Sequence, residues 1–307
     1  MSVEFIIAAL VTIVGISTPI LLAGLGELVV EKSGVLNLGV EGMLLIGAIS
    51  GFAATVMLNN PWSGVVAAAA AGALAGLLFG FFALTLNSNQ VATGLALTIF
   101  GTGLSSLLGT AFVGRIVAPF GSPFPAFLSR DPFWKIIFGH SPIVYFALVM
   151  VPVVAWFLRS TRAGLILRAV GENDQSAHSI GYSVIKVRYL AVAFGGAMAG
   201  IAGCYFSMVI TPMWAERMTA GRGWIALALV VFAAWRPWRL LGSAYFFGML
   251  MALELYAKAA GFSFLPSQFW AAMPYLMTVV VLAIISSREK GGGSAPACLG
   301  KPFLPAN

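Results

Sequence analysis

The fold class this sequence predicts is an all-α, polytopic membrane bundle of about nine segments. Three observations carry that expectation. Apolar residues make up 60% of the 307 positions and charged residues only 9%, against about 45–50% and about 25% in a soluble domain. The mean hydropathy is +0.97. Apolar runs of spanning length recur near residues 5–25, 43–58, 64–86, 91–113, 142–158, 189–210, 224–235, 241–257 and 271–287, and a helix crosses a bilayer in about 20 residues. A soluble globule of this composition would lack the polar side chains to cover its surface.

Taken in order, the chain opens with Met1-Ser2-Val3-Glu4 and then apolar residues, the first basic residue being Lys32. The missing positive n-region favours an uncleaved first helix with its N-terminus outside. Residues 26–42 mix apolar positions with Glu27, Glu31, Lys32, Asn37 and Glu41 and with Gly34, Gly39 and Gly42. This reads as a broken or re-entrant segment, which is tolerated at membrane depth only where protein or a water-filled cavity surrounds it. A charge there costs at least about 2.5–3.5 kcal/mol, so these glutamates must be interfacial, paired or facing a cavity. Asn37, donor and acceptor at once, either fixes the broken segment or lines a pathway.

Gly47-x3-Gly51, Gly72-x3-Gly76-x3-Gly80 and Gly196-x3-Gly200 put small residues on single helix faces, where they allow close backbone approach. Asn87, Ser88, Asn89, Gln90 and Thr93 separate two long apolar runs. They form a surface turn or, with Thr98 and Thr102, part of a translocation path. Prolines 119, 123, 125 and 132 break up the 114–141 loop. Pro212 ends another helix, and Thr211 to Trp224 reads as an outside loop with Trp214 and Trp224 in an aromatic belt. Glu254 and Lys258 are spaced for an i,i+4 pair. Gly291-Gly292-Gly293-Ser294 is linker composition, so the expected division is a transmembrane domain over 1–290 and a flexible tail over 291–307.

The formal charge of +7 is a topology signal here. With nine crossings, eleven basic residues fall in inside loops and six outside, which puts the 159–188 loop in the cytoplasm and the C-terminus with it. No stretch interleaves basic and aromatic residues as nucleic-acid binding requires, and two histidines and two cysteines make no metal cluster. No catalytic residue, metal ligand or cofactor is assigned.

The polar island at 159–188 carries the mechanism. Asn173 and Asp174 are N-cap residues for a short helix over about 174–180, and Gly181 is its stop. Arg168-Ala169-Val170-Gly171-Glu172-Asn173, then Ala177, Gly181 and Val187-Arg188-Tyr189, resemble the coupling-helix region of ABC importer permeases of the ribose/branched-chain amino acid superfamily. Gly34-Val35-Leu36-Asn37-Leu38-Gly39-Val40-Glu41-Gly42, the stretch from Glu216 through Met218-Thr219-Ala220-Gly221-Arg222-Gly223-Trp224 to Trp235-x-Pro237, and Met273-Pro274-Tyr275 agree with it in order. The chain is most similar to simple-sugar and nucleoside permeases that work with binding lipoproteins of the basic membrane protein type. Asp174, where the family often has proline, and His178 depart from the pattern.

The resemblance implies a bacterial cytoplasmic-membrane subunit that works with a separate ABC ATPase, a second permease subunit (a paralogue or itself) and an extracytoplasmic substrate-binding protein, with lipid around it. No G-x-x-x-x-G-K-[ST] occurs in the chain, so ATP hydrolysis is expected on that other polypeptide, and this chain is not expected to be an enzyme. The implied coupling residues are Gly171, Glu172, Asn173, Asp174, Ala177, His178, Ile180 and Gly181. The candidate translocation path is Asn37, Glu41, Asn89, Gln90, Thr93 and Thr98, for a nucleoside, nucleobase or simple sugar. The rival reading is a stand-alone ion-coupled secondary transporter, which would also use intramembrane glutamates and a broken segment.

Overall fold

Long apolar stretches become helices because helices satisfy every backbone group internally, and short polar side chains mark where they start. The computed structural model describes residues 3–118, 120–129, 131–259, 267–288 and 295–304. Among these residues twelve α-helices follow one another: α1 (Val3–Lys32), α2 (Val40–Leu58), α3 (Pro61–Gly80), α4 (Gln90–Gly109), α5 (Pro132–Phe138), α6 (Pro142–Ser160), α7 (Arg162–Glu172), α8 (Asp174–Ser179), α9 (Val184–Tyr205), α10 (Arg222–Phe232), α11 (Pro237–Ala259) and α12 (Ser267–Arg288). Asn60, Asn89, Asp131, Thr161 and Asn173 each accept a backbone N–H in the first turn of the helix they open. No strand occurs among the described residues, only an isolated antiparallel bridge between Ile116 and Met213.

The centre of the bundle is set by glycine. A Cβ on Gly47 would stand 2.4 Å from the Cα of Gly200, and one on Gly72 2.1 Å from the carbonyl of Gly196. These positions admit no side chain, so α2, α3 and α9 pack backbone to backbone, as their small-residue faces predict. Around them α1, α6 and α10 contribute the buried Leu22, Leu25, Leu28, Val144, Leu229 and Val230. Val66 and Leu74 of α3 and Ile99 and Leu107 of α4 are exposed instead, which an apolar solvent rewards.

Six helices among the described residues are long and apolar enough to span: Glu4–Lys32, Val40–Leu58, Pro61–Thr85, Gln90–Phe112, Pro142–Ser160 and Val184–Ile210. About nine segments are therefore not confirmed. One reason is plain at residues 224–235. Eleven-residue α10 is only about 16 Å long at 1.5 Å per residue, half of a ~30 Å core. The broken segment is also narrower than 26–42, because α1 continues unbroken to Lys32 and the irregular backbone is confined to 33–39. Glu27 and Glu31 are accommodated within the helix: Glu27 accepts the Asn37 N–H at 3.2 Å and Glu31 accepts the Trp235 indole N–H.

Part of the segment read as a flexible tail is placed. Residues 295–304 lie against α7, α8 and the 33–39 break, held by backbone bonds from Cys298 to Gly171 (2.9 Å) and from Gly300 to Gly34 (3.1 Å), and by the buried Phe303. Linker composition at 291–294 lies outside the described residues and says nothing of the apolar anchor that follows it. The Glu254–Lys258 pairing likewise concerns side chains outside those described.

Candidate functional site

Two polar assemblies interrupt the apolar interior. The first is built on the break. Asn37 is buried, accepts the Gly39 N–H on Oδ1 at 2.9 Å, and directs its amide at the Met43 sulfur (3.6 Å). That local bond turns the chain into the first turn of α2. Thr98 of α4 donates to the Leu38 carbonyl at 3.0 Å, bracing the break from the side.

One residue further into α2, Glu41 is buried and both of its oxygens are committed. Oε1 accepts the Thr219 hydroxyl (2.6 Å) and the Gly221 N–H (2.9 Å), and Oε2 accepts the Gly223 N–H (2.6 Å). The donors are the N-terminus of α10 and the loop before it. A helix N-terminus presents unpaired N–H groups and a positive dipole end, so a carboxylate is its natural cap. Gly221 has φ +79°, and a Cβ on Gly223 would meet the Glu41 backbone at 2.7 Å; glycine is required at both.

The position of this clamp shows that the segment from Thr211 to Trp224, expected as an outside loop, does not stay at one end of the bundle. Gly47 meets Gly200, Gly51 meets Cys204 and Thr55 meets Met208, so α2 and α9 run parallel. Stepping back along each axis places Glu41 about 9 Å further into the bundle than Arg188. The loop therefore descends from the far end of α9, past Trp214 against Gly109 and Glu216 against Ser106 (2.9 Å), and reaches the interior before α10 begins. Trp214 is buried against Gly109 and Trp224 packs on the core within α10, so neither stands as an exposed belt residue, and the descent of the loop carried no sequence signal.

The second assembly is an elbow at the other end of α9. The short helix α8 forms as expected: Asn173 Oδ1 accepts the Ser176 N–H at 2.9 Å, and Gly181 (φ +94°) ends it. Its residues divide by direction. Gly171, Asp174 and Ala177 are buried, whereas Glu172, Asn173, His178, Ile180 and Gly181 are exposed, Ile180 at 71%. Ala177 packs with Val170, Val184 and Phe303, and His178 meets the Phe303 ring edge-on at 5.4 Å.

At the centre of the elbow lies Arg188, with 0% exposure. It pairs with Asp174 at 3.1 Å and donates to the carbonyls of Ser33 (3.3 Å) and Lys301 (3.4 Å). One guanidinium thus ties α9, α8, the break and the C-terminal segment together. Sequence reading counted Arg188 as a topology charge and a motif position, not as a site residue; its five fixed donors suit it to several acceptors at once. Asn89 and Gln90 belong to this end as well. Asn89 caps α4 on the Ala92 N–H, while buried Gln90 accepts the Leu36 N–H at 2.8 Å and donates to Lys301. Partly exposed Thr93 is one turn on. The six path candidates are therefore divided: Asn37 and Thr98 brace the break, Glu41 forms the clamp, and Asn89, Gln90 and Thr93 sit at the start of α4.

Spanning helices packed through glycine, a half-length helix that begins inside the bundle and a helical elbow at one end define a multi-pass membrane permease. The chain belongs to the family described as branched-chain amino acid transport system, permease component, whose model matches residues 9–282. A putative glucose ABC transporter permease protein of Haloferax volcanii is 41% identical over 289 residues, covering 87% of this chain and 88% of that one. A guanosine ABC transporter permease protein of Bacillus subtilis is 30% identical over 94% of this chain and 93% of its own. A nucleoside ABC transporter permease protein of Lactococcus lactis is 30% identical over 87% and 89%. The chain is an ABC transporter permease subunit, as its motifs imply.

Proposed function

We propose that this chain forms one side of a translocation path for a nucleoside or simple sugar and is driven by a separate ABC ATPase that docks on α8. The buried Arg188 supports this reading most directly. A push on the exposed Glu172–Gly181 surface moves Asp174, and Asp174 is bonded to the same guanidinium as Ser33 at the break. The break leads within eight residues to Glu41, which holds α10. A displacement at the elbow is thereby passed to two discontinuous helices in the interior, the type of bistable element that rocks a bundle between outward-open and inward-open states. In this reading the 159–188 loop and the C-terminal segment are cytoplasmic, and residues 1–290 are the permease domain.

Within the path, Asn37 and Glu41 act as the frame, since their polar atoms are already bonded, and cargo contacts fall to less committed groups, such as Thr93 near the start of α4 and Thr102 one turn beyond Thr98. The substrate class rests on the relatives' named substrates, glucose, guanosine and nucleosides. Uptake of labelled guanosine and glucose into proteoliposomes, with the co-expressed ATPase, second permease and binding protein, tests it. ATP-dependent uptake of one of them is expected. Uptake by this chain alone, driven by an ion gradient, would replace the proposal with the ion-coupled rival, for which the buried Glu27 and Glu31 are the relevant observation.

A further inference from the structure

A cavity of about 720 Å³ opens beside the elbow. It is lined by Lys32 at the end of α1, Arg159 at the end of α6, Arg168 of α7, and Arg236 and Arg239 around the start of α11, against a single acid, Glu172. Five cations to one carboxylate is a large local excess in a chain with 9% charged residues. The Nε of Arg168 is buried and has no hydrogen-bond partner among the described residues. An unmade bond of that kind, next to like charges, is stabilised by an anion. The first N–H groups of 23-residue α11 stand at the same rim and add the positive end of its dipole.

The remainder of the lining is membranous in character. Trp235 lies beneath Lys32, whose ammonium is 5.9 Å from the ring. Trp238 is 59% exposed at the rim. Trp156 is also exposed and shares a face of α6 with Arg159, three residues on. Exposed Val149 and Val153 continue that face into the span. An apolar track thus runs up to a cationic cavity flanked by tryptophans, the position of a bilayer interface.

We propose that this cavity binds the headgroup phosphate of an anionic phospholipid, with its acyl chains along the outer face of α6. Basic pockets between spanning helices are suited to anionic headgroups, and an acidic protein surface would not require the apolar track. The site is distinct from the path and does not depend on which cargo is carried.

Lipid retention tests it. The full chain, purified in mild detergent and equilibrated with equal amounts of phosphatidylglycerol and phosphatidylcholine, is weighed by native mass spectrometry. One retained phosphatidylglycerol per chain is expected, its affinity falling roughly thirtyfold in Arg168→Gln/Arg239→Gln, where two interfacial cations are lost. Arg168→Lys/Arg239→Lys, which keeps the charge, retains it, as does Arg115→Gln in the distant loop. Equal retention of both lipids, or retention unchanged in the glutamine variant, overturns the proposal. So does displacement by inorganic phosphate, which assigns the cations to a soluble anion, or loss on ATPase binding, which assigns the cavity to a protein contact. A second measurement needs no arginine variant. Brominated phosphatidylglycerol should quench tryptophan emission more than its phosphatidylcholine counterpart, with less quenching in Trp238→Phe; equal quenching by both overturns the assignment.

Discussion

Glu41 and Arg188 are both buried charges that join distant segments, yet they are built in opposite ways. Glu41 takes three donors at 2.6–2.9 Å from one short stretch, 219–223, two of them backbone N–H groups. Arg188 reaches three separate segments at 3.1–3.4 Å, two through carbonyls and one through a carboxylate. The first arrangement fixes one geometry, because backbone donors at a helix terminus cannot re-aim. The second spreads one long side chain over three segments that no shared stretch of backbone holds together. The molecule thus holds both kinds: a rigid cap where α10 begins and a many-partnered joint where α8 meets α9.

The sharpest way to break this contrast is Arg188→Met. It leaves Asp174 buried without its cation, and breaking such a pair costs about 3–5 kcal/mol. A lower unfolding temperature in detergent and ATP hydrolysis uncoupled from uptake are expected. Arg188→Met/Asp174→Asn should recover much of the stability but not the coupling; full recovery of uptake would reduce Arg188 to a structural role. Glu41→Gln is next, at about 1.5–3 kcal/mol. An amide in that place points one N–H at donors, so even an isosteric change should lower both stability and uptake. Wild-type behaviour of Glu41→Gln would show that the cap is dispensable.

Phe303→Ala probes the tail's hold on the joint. Losing a ring buried in a small satellite cluster is expected to cost about 1–2 kcal/mol, with faster proteolysis after residue 294 and weaker coupling. Ile180→Ala should change stability least, within about 0.5 kcal/mol for an exposed side chain, while lowering ATPase association measured by co-purification. Unaltered association would move the docking surface away from α8.

The elbow was more legible than the clamp, for a physical reason. The start and stop of α8 are local signals, Asn173 and Gly181, and the glycine faces of α2, α3 and α9 are periodic. The partners of Glu41 are 178 to 182 residues away, and two are backbone groups that carry no side-chain signature. Hydropathy read 224–235 as a crossing because apolar content does not register depth. Composition described residues 291–294, three glycines and a serine, and carried no signal for the backbone bonds and the buried Phe303 that place residues 295–304.

The placement of residues 295–304 has a consequence for biogenesis. Arg188 is synthesised more than a hundred residues before its Lys301 acceptor, so the guanidinium leaves the ribosome with that bond unmade. The elbow reaches its final form only once residue 304 has left the ribosome. An ATPase that recognises the finished elbow would therefore discriminate against nascent and truncated chains, making the C-terminal segment a checkpoint on assembly as well as a brace.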